Sequence, residues 1–359
     1  TNVQYLHFAL FGCAKLSSRL IPHLSKVPHD YDITTSALPE QTIQVCKNQG
    51  WKTVNKLGNN FGCVVAVVDG NPCEITTFRG ERYNYAKDAH RPSEIWFCQD
   101  LREDLARRDF TINAMAMDAQ GKIYDFFGGQ EDLRHKILRT VGQPQQRFQE
   151  DALRMFRACR FVAQLGFTYV QRDNLVPGFG MDATPYRLPV SYKWPVEQCK
   201  GLSLERVRTE LEKLLTAPYA SKGLVLLLAT GLSDQCCRVK ENGAYTELPI
   251  LPELRHLVGL EQNKRFHCYD TWEHTLLAID NSPCNLTLRW ALLLHDGAKG
   301  MPGVRGLTPD GHPNDHGHEA ESAKMTTAIL QRFRYPEKFC KLVIWLVAEH
   351  MRFAPILFY

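Results

Sequence analysis

Two carboxylates one residue apart, Asp30 and Asp32 in Pro28-His29-Asp30-Tyr31-Asp32-Ile33, run directly into apolar sequence. Alternate residues of a strand share a face, so the two would project side by side. Paired negative charges at that spacing repel unless a cation stands between them. Mg²⁺ suits such a site, because it takes hard oxygen ligands and keeps room in its shell for water and substrate phosphates. The pair is a candidate phosphoryl-transfer centre. By itself the triplet is weak, since most such pairs are solvated loop edges. A third acid, Glu74, alternates with Ile75 and could face the same way; equally it reads as a surface residue of an edge strand.

Further along, Arg107-Arg108-Asp109 sets two guanidiniums beside a carboxylate. That is either a surface salt-bridge cluster or a triphosphate clamp, since guanidinium forks match phosphate oxygens. Read as one helix, 150–161 places Glu150, Arg154, Arg157 and Phe161 on one face, with Asp151 within i+3 of Arg154. Ordinary surface pairing accounts for that as well. The last hundred residues hold His274, His295-Asp296, His312, His316, His318 and His350. Isolated histidines are usually satisfied polar groups, but His295-Asp296 closing the apolar run Ala291-Leu292-Leu293-Leu294 can belong to a metal site.

Two kinds of element must carry these groups. The first 118 or so residues read as mixed α/β: a β-branched run over 61–68, a turn at Asp69-Gly70-Asn71-Pro72, and a second strand over 73–78. The stretch 79–92 interleaves Arg and Lys with Tyr83 and Tyr85 and reads as a long mobile loop. From about residue 130 the pattern turns helical; 170–200 reads as an irregular insertion, and helical periodicity resumes at 202 and continues to about 260.

The chain has 359 residues, long for a single core, and a net charge of +4 that is compatible with a nucleic-acid partner without demonstrating one. No apolar run approaches a membrane span, and no secretory signal opens the sequence. The initial Thr1 points to a true start upstream. Twelve cysteines without a C-x-x-C pair read as reduced thiols of a cytoplasmic protein.

Three stretches together resemble the bacterial class II tRNA nucleotidyltransferases, the CCA-adding enzymes, and the related bacterial poly(A) polymerases. They are Pro28-His29-Asp30-Tyr31-Asp32-Ile33-Thr34-Thr35, Asp104-Leu105-Ala106-Arg107-Arg108-Asp109-Phe110-Thr111-Ile112-Asn113-Ala114-Met115, and Arg147-Phe148-Gln149-Glu150-Asp151-Ala152-Leu153-Arg154, continuing to Gln164-Leu165-Gly166-Phe167. The resemblance implies an α+β chain: a polymerase-β-like nucleotidyltransferase head (1–128), then an all-α neck (129–170), body (171–262) and HD-like helical domain (263–359). It implies template-independent addition of C-C-A to tRNA from CTP and ATP, with release of pyrophosphate. Asp30 and Asp32 would hold Mg²⁺, with Glu74 as the further catalytic acid. Arg107, Arg108 and Asp109 fall where the family contacts the nucleotide's sugar and phosphates, and Gly12, Lys15 and Asn113 are further nucleotide-binding candidates. Glu150, Asp151, Arg154 and Arg157 fall where it reads the base, and Arg160 is a further nucleotide-binding candidate.

Base selection has a chemical rationale. Cytosine and adenine each offer an amino donor beside a ring-nitrogen acceptor, whereas guanine and uracil reverse the order. Asp151, which only accepts, beside Arg154, which only donates, satisfies C and A and leaves G and U unpaired. The loop 79–92 matches one that relatives adding only the two cytidines tend to lack, which favours complete CCA addition or A addition.

His274, His295, Asp296 and His318 match an HD phosphohydrolase site for a divalent transition metal, with His350 a weaker match. Two departures stand out. Phe11-Gly12-Cys13-Ala14-Lys15 has one glycine and a lysine where the family has Gly-Gly and Arg, an erosion that bears on nucleotide affinity and activity. Any last HD carboxylate and any tRNA-gripping tail are expected beyond Tyr359. The alternatives are a poly(A) polymerase or A-adding enzyme, an HD phosphohydrolase with a degraded head, and a silent RNA-binding protein. Oligomeric state is not legible in the sequence.

Overall fold

The structure is a computed structural model and describes residues 9–11, 32–54, 62–83, 92–170 and 194–352. Asp30, Gly12, Lys15, most of the 79–92 loop and residues 171–193 of the 170–200 insertion lie outside those residues. The chain divides into two compact units, 1–151 with 168–175, and 152–167 with 176–359.

The first unit is built on a sheet of seven strands in the order β3-β4-β5-β2-β1-β8-β9. In chain order these are β1 (Ala9–Phe11), β2 (Asp32–Thr35), β3 (Lys52–Val54), β4 (Cys63–Val68), β5 (Asn71–Thr77), β8 (Met115–Met117) and β9 (Ile123–Asp125). β4 and β5 form the expected hairpin, but the turn is tighter than the sequence predicts. Asp69 and Gly70 both take positive φ (50° and 81°), the two-residue geometry whose twist matches a hairpin. Asn71 and Pro72 therefore already pair with Val68 and Val67. Pro72 lies before the part of β5 that pairs with β2, so its missing N–H costs no ladder bond there.

Helix α1 (Pro39–Asn48) covers one face of this sheet. Its Cys46 packs with Ala66 of β4 and Ile75 of β5, and Ile33, Trp51 and Val68 close around them. Because side chains alternate, burying Ile33 and Ile75 turns Asp32 and Glu74 to the opposite face. Arg79–Arg82, expected within a loop, instead form strand β6, paired antiparallel with β7 (Glu94–Phe97). Beyond it come α2 (Leu101–Ala106), α3 (Gly129–Arg134), β10 (Ile137–Leu138) and α4 (Pro144–Glu150). β10 pairs with β11 (Thr168–Tyr169).

The second unit begins with α5 (Leu153–Leu165), ended by Gly166 at φ 69°. It packs on α6 (Leu204–Leu215) and α7 (Ala220–Ala229). Here α5 and α7 approach closely: a Cβ on Gly223 would stand 2.7 Å from the Cys159 carbonyl oxygen. The helical periodicity expected through 260 stops earlier. Cys236–Glu241 (β12) and Ala244–Pro249 (β13) form an antiparallel hairpin instead. Its turn is Asn242-Gly243, both at positive φ (49° and 87°), a strong hairpin signal that apolar periodicity does not register.

The rest of the unit is helical: α8 (Thr271–Asp280), α9 (Leu286–Leu294), α10 (His318–Arg332) and α11 (Glu337–Glu349), with a short ribbon of β14 (Gly306–Leu307) and β15 (Pro313–Asn314). Trp272, Leu276, Trp290, Leu294, Leu330, Phe333 and Val343 are buried there. Arg289 is 1 % exposed, and its guanidinium donates to the carbonyls of Ser282 and Pro283, at 2.8 and 3.1 Å. Among the described residues no helix is long and apolar enough to cross a membrane.

Candidate active site and candidate metal centre

On the head sheet, β2 and β5 run parallel and Asp32 is the register partner of Glu74. Neighbouring strands lie about 4.8 Å apart, so these two carboxylates flank one another on the face that α1 leaves open. Both residues are exposed. Cys63 shares their surroundings: burial pushes its thiol up, a hydrogen bond with Thr76 opposes this, and the fields of Glu74 and Asp32 push it further up. Hard oxygens gathered on one open face suit Mg²⁺.

Arg107 and Arg108 follow α2 and fold back onto it. Arg107 Nη2 stands 2.7 Å from Asp104 Oδ1 and its Nη1 stands 3.3 Å from Glu81; Arg108 Nη2 stands 3.4 Å from Asp104 Oδ2. Burial alone would raise the Glu81 carboxyl, but Arg107 and Arg79 outweigh it and hold it below the usual range. The side chains of Arg107 and Arg108 keep about a fifth of their surface exposed (17 and 21 %), so the cluster is anchored but not closed. Asp109 is buried, and its Oδ1 accepts from the Phe110 N–H (2.8 Å) and from Asn113 Nδ2 (3.2 Å). Thus Asn113 and Asp109 form one hydrogen-bonded unit, and it follows directly on the arginines.

The single helix expected over 150–161 is broken. α4 ends at Glu150, Asp151 is extended (φ −149°, ψ 107°), and α5 starts at Leu153. Glu150 is buried and ion-paired with Arg147, Nη2 to Oε1 at 2.5 Å, while Arg147 Nη1 donates to the Ala106 carbonyl at 3.0 Å. Arg154 is buried in the first turn of α5. The guanidiniums of Arg157 and Arg160 lie over the Phe161 ring, at 5.5 and 4.3 Å from its centroid. Arg160 is also tied to Glu210 of α6, Nε to Oε2 at 2.9 Å, with both residues buried. That pairing fixes α5 on α6, a task the sequence does not reveal because the two lie 50 positions apart.

The second unit gathers five ligand-type side chains at helix ends. His274 lies in the first turn of α8 and His318 opens α10, while His295-Asp296 close α9 and His350 closes α11. Asp296 stands between two groups. Its Oδ2 is 3.3 Å from His295 Nε2 and 3.9 Å from His274 Nε2. Its Oδ1 is 3.0 Å from His318 Nε2 and 3.6 Å from His350 Nε2.

One local rule orients three of the rings. His295, His318 and His350 each set Nδ1 at 2.7–2.8 Å from the carbonyl oxygen three residues earlier, on Leu292, Asp315 and Val347. A carbonyl only accepts, so Nδ1 carries a hydrogen and Nε2 points inward, where it donates to a carboxylate when protonated and offers a lone pair to a metal when neutral. Burial would raise the Asp296 carboxyl, but His295, with hydrogen bonds from His318 and His350, holds it well below the usual range. His274 goes the other way from its ordinary value of 6.5, to about 4, through burial and then the neighbouring His295. Four imidazoles around one carboxylate form a mixed nitrogen–oxygen donor set that fits divalent transition metals. Buried Oδ2 of Asp296 is ion-paired with Lys299 Nζ at 2.8 Å.

His350, the weaker match, is fully part of this cluster. His312 is not: its nearest acid is Asp310 at 3.9 Å, and His316 lines the cavity without joining either group. The cavity measures about 900 Å³. Sequence reasoning missed two of its residues, His267 and Lys299. The ring of His267 meets that of His274 edge-on at 5.7 Å. Lys299 bridges Asp296 and Gln262, and its position three residues after Asp296 was the available signal.

The chain is similar to known proteins over the segments that carry both sites. Residues 22–139 match the family model described as the poly(A) polymerase head domain, and 267–357 match the HD domain. Residues 196–237 match one described as a probable RNA and SrmB-binding site of polymerase A. The chain is therefore similar to poly(A) polymerases and CCA-adding enzymes over its head and HD-domain matches. It is 44 % identical over 205 residues to a CCA-adding enzyme of Geobacillus sp. (strain WCH70), covering 56 % of this chain and 45 % of that protein. With a CCA-adding enzyme of Levilactobacillus brevis it shares 39 % over 253 residues, 67 % of this chain and 58 % of the relative. The crystal structure of the Bacillus stearothermophilus CCA-adding enzyme in complex with CTP superposes with a TM-score of 0.61 at 29 % identity, over 98 % of this chain and 66 % of that one. This chain thus spans about half the length of the curated relatives it matches. These similarities agree with the α+β class and with a polymerase head followed by helical and HD parts.

Proposed function

We propose that this protein adds C-C-A to the 3′ end of tRNA without a template, using CTP and ATP and releasing pyrophosphate. The observation that carries this is the Asp32–Glu74 pair on the open face of a family-typical head sheet. Asp30 completes the acid set from the sequence. Magnesium held there would activate the tRNA 3′-hydroxyl and neutralise the departing pyrophosphate. Arg107 and Arg108 would meet the triphosphate, and the Asp109–Asn113 unit the sugar. Asp151 and Arg154 would select C and A by their complementary polarity. Kinship with CCA-adding enzymes, one of them solved with CTP, supports the reading.

The decisive experiment supplies labelled CTP and ATP, separately and together, with Mg²⁺ and a tRNA ending at its discriminator base. Three added nucleotides are expected. A long A tract would make the protein a poly(A) polymerase, and no incorporation would refute the transferase reading.

A second activity rests on its own observation, the Asp296-centred cluster. We propose that it is a metal-dependent phosphohydrolase site. Phosphatase activity that needs a transition metal and survives replacement of Asp32 would support it; its absence with each of Mn²⁺, Ni²⁺ and Zn²⁺ would refute it.

A further inference from the structure

The β12–β13 hairpin carries an outer face that neither proposed reaction uses. Its inner face is apolar, with Cys237 and Val239 buried. Alternation puts Arg238 and Lys240 on the outer face, together with their register partners Glu247 and Tyr245. Tyr245 is 62 % exposed, an unusual position for an aromatic side chain at a hairpin tip. Arg238 Cζ and Lys240 Nζ lie 4.9 and 5.9 Å from its ring centroid.

The charges around the ring are unequal. Glu247 faces Lys200 at 3.5 Å, and Glu241 faces Arg334 at 2.7 Å. Among the described residues neither Arg238 nor Lys240 has a carboxylate within ion-pair distance, so with Lys200 the face carries a net positive charge around the exposed ring despite Glu247. The hairpin is also rooted next to the segment that matches the RNA-binding family model. The Arg238 N–H donates to the Leu202 carbonyl at 2.8 Å, and β12 bridges to Ser203.

We propose that this face is an RNA-contacting surface, where Tyr245 stacks on an unpaired base and Arg238 and Lys240 hold the flanking phosphates. Nucleic acid fits because it alone offers π faces and negative charge in alternation along one strand. An acidic peptide would engage the cations but leave the ring without a use. The proposal rests on RNA being the substrate.

The test titrates the full chain against fluorescently labelled tRNA ending at its discriminator base, at several salt concentrations and without nucleotide. Tyr245→Ala should weaken binding about five- to tenfold, and Tyr245→Phe should bind like the unaltered chain. Arg238→Gln with Lys240→Gln should flatten the slope of log affinity against log salt by about 1.5. In turnover, KM for tRNA should rise while KM for CTP stays the same. Unchanged binding by the Ala and double-Gln variants, with wild-type binding intact, would overturn the hairpin surface alone. A dimer in sedimentation that Tyr245→Ala breaks, with tRNA affinity unchanged, would assign the face to self-association instead. A wild-type chain that binds no tRNA would remove the RNA reading itself, and this surface with it.

Discussion

Asp32 on β2 and Glu74 on β5 are register partners in a parallel strand pair, one residue before the Ile33 and Ile75 that α1 buries. The same alternation that makes the head's core therefore presents its acids. Removing a group of this kind should affect chemistry and leave the fold alone. Asp32→Asn should lower nucleotide incorporation by about a thousandfold, the effect of losing several kcal/mol of metal-borne stabilisation. Glu74→Gln should cost less, about ten- to a hundredfold. Both residues are exposed, so chemical denaturation should move by no more than about 0.5 kcal/mol.

The proposed metal centre should be separable from the proposed transferase site. Asp296 is shared by both ligand groups, so Asp296→Asn should lower divalent metal content measured by elemental analysis and abolish any metal-dependent phosphatase activity. Incorporation of CTP and ATP should persist in this variant. Equal loss of both activities would mean that the two sites depend on each other.

His274 predicts how the metal-free protein responds to acid. Its folded value lies near 4 against an ordinary 6.5, so between those values the unfolded chain binds the proton and the folded chain does not. Stability should therefore fall as pH drops from about 6.5 towards 4, and this contribution should level off below that. His267, also lowered, acts in the same sense. Urea denaturation of the metal-free chain at pH 7.5 and 5 should show the loss, and His274→Gln should reduce the difference. Imidazoles that stay neutral also compete well for metal at pH 6, which calorimetric titration can check.

Arg160 and Glu210 allow a test that separates structure from substrate contact. Arg160→Ala would leave the buried Glu210 carboxylate without its partner and should destabilise by about 3–5 kcal/mol. Replacing both by methionine should recover most of that stability. If Arg160 serves packing and not nucleotide, the double variant should keep the KM for CTP; a rise in KM would return Arg160 to the nucleotide-binding set.

Much was legible in the residues alone. The acids at Asp32 and Glu74, the Arg107-Arg108-Asp109 cluster, the β4–β5 hairpin and the His295-Asp296 pair are local patterns, and short-range periodicity or an unusual dipeptide suffices to mark them. The errors were local as well. The Asn242-Gly243 turn was hidden inside a stretch read for helical spacing, and the break at Asp151 was missed because charges at i and i+4 look the same whether or not one helix carries both.

What only the tertiary structure decided is which distant groups meet. Nothing in sequence spacing shows that His274, His318 and His350 converge on Asp296, because that depends on how α8, α9, α10 and α11 pack and where each one ends. Nor does spacing show that Arg160 belongs to Glu210, or that β2 and β5 lie side by side so that Asp32 faces the same way as Glu74. Chain order specifies the donors; the burial of apolar faces brings them within ion-pair distance.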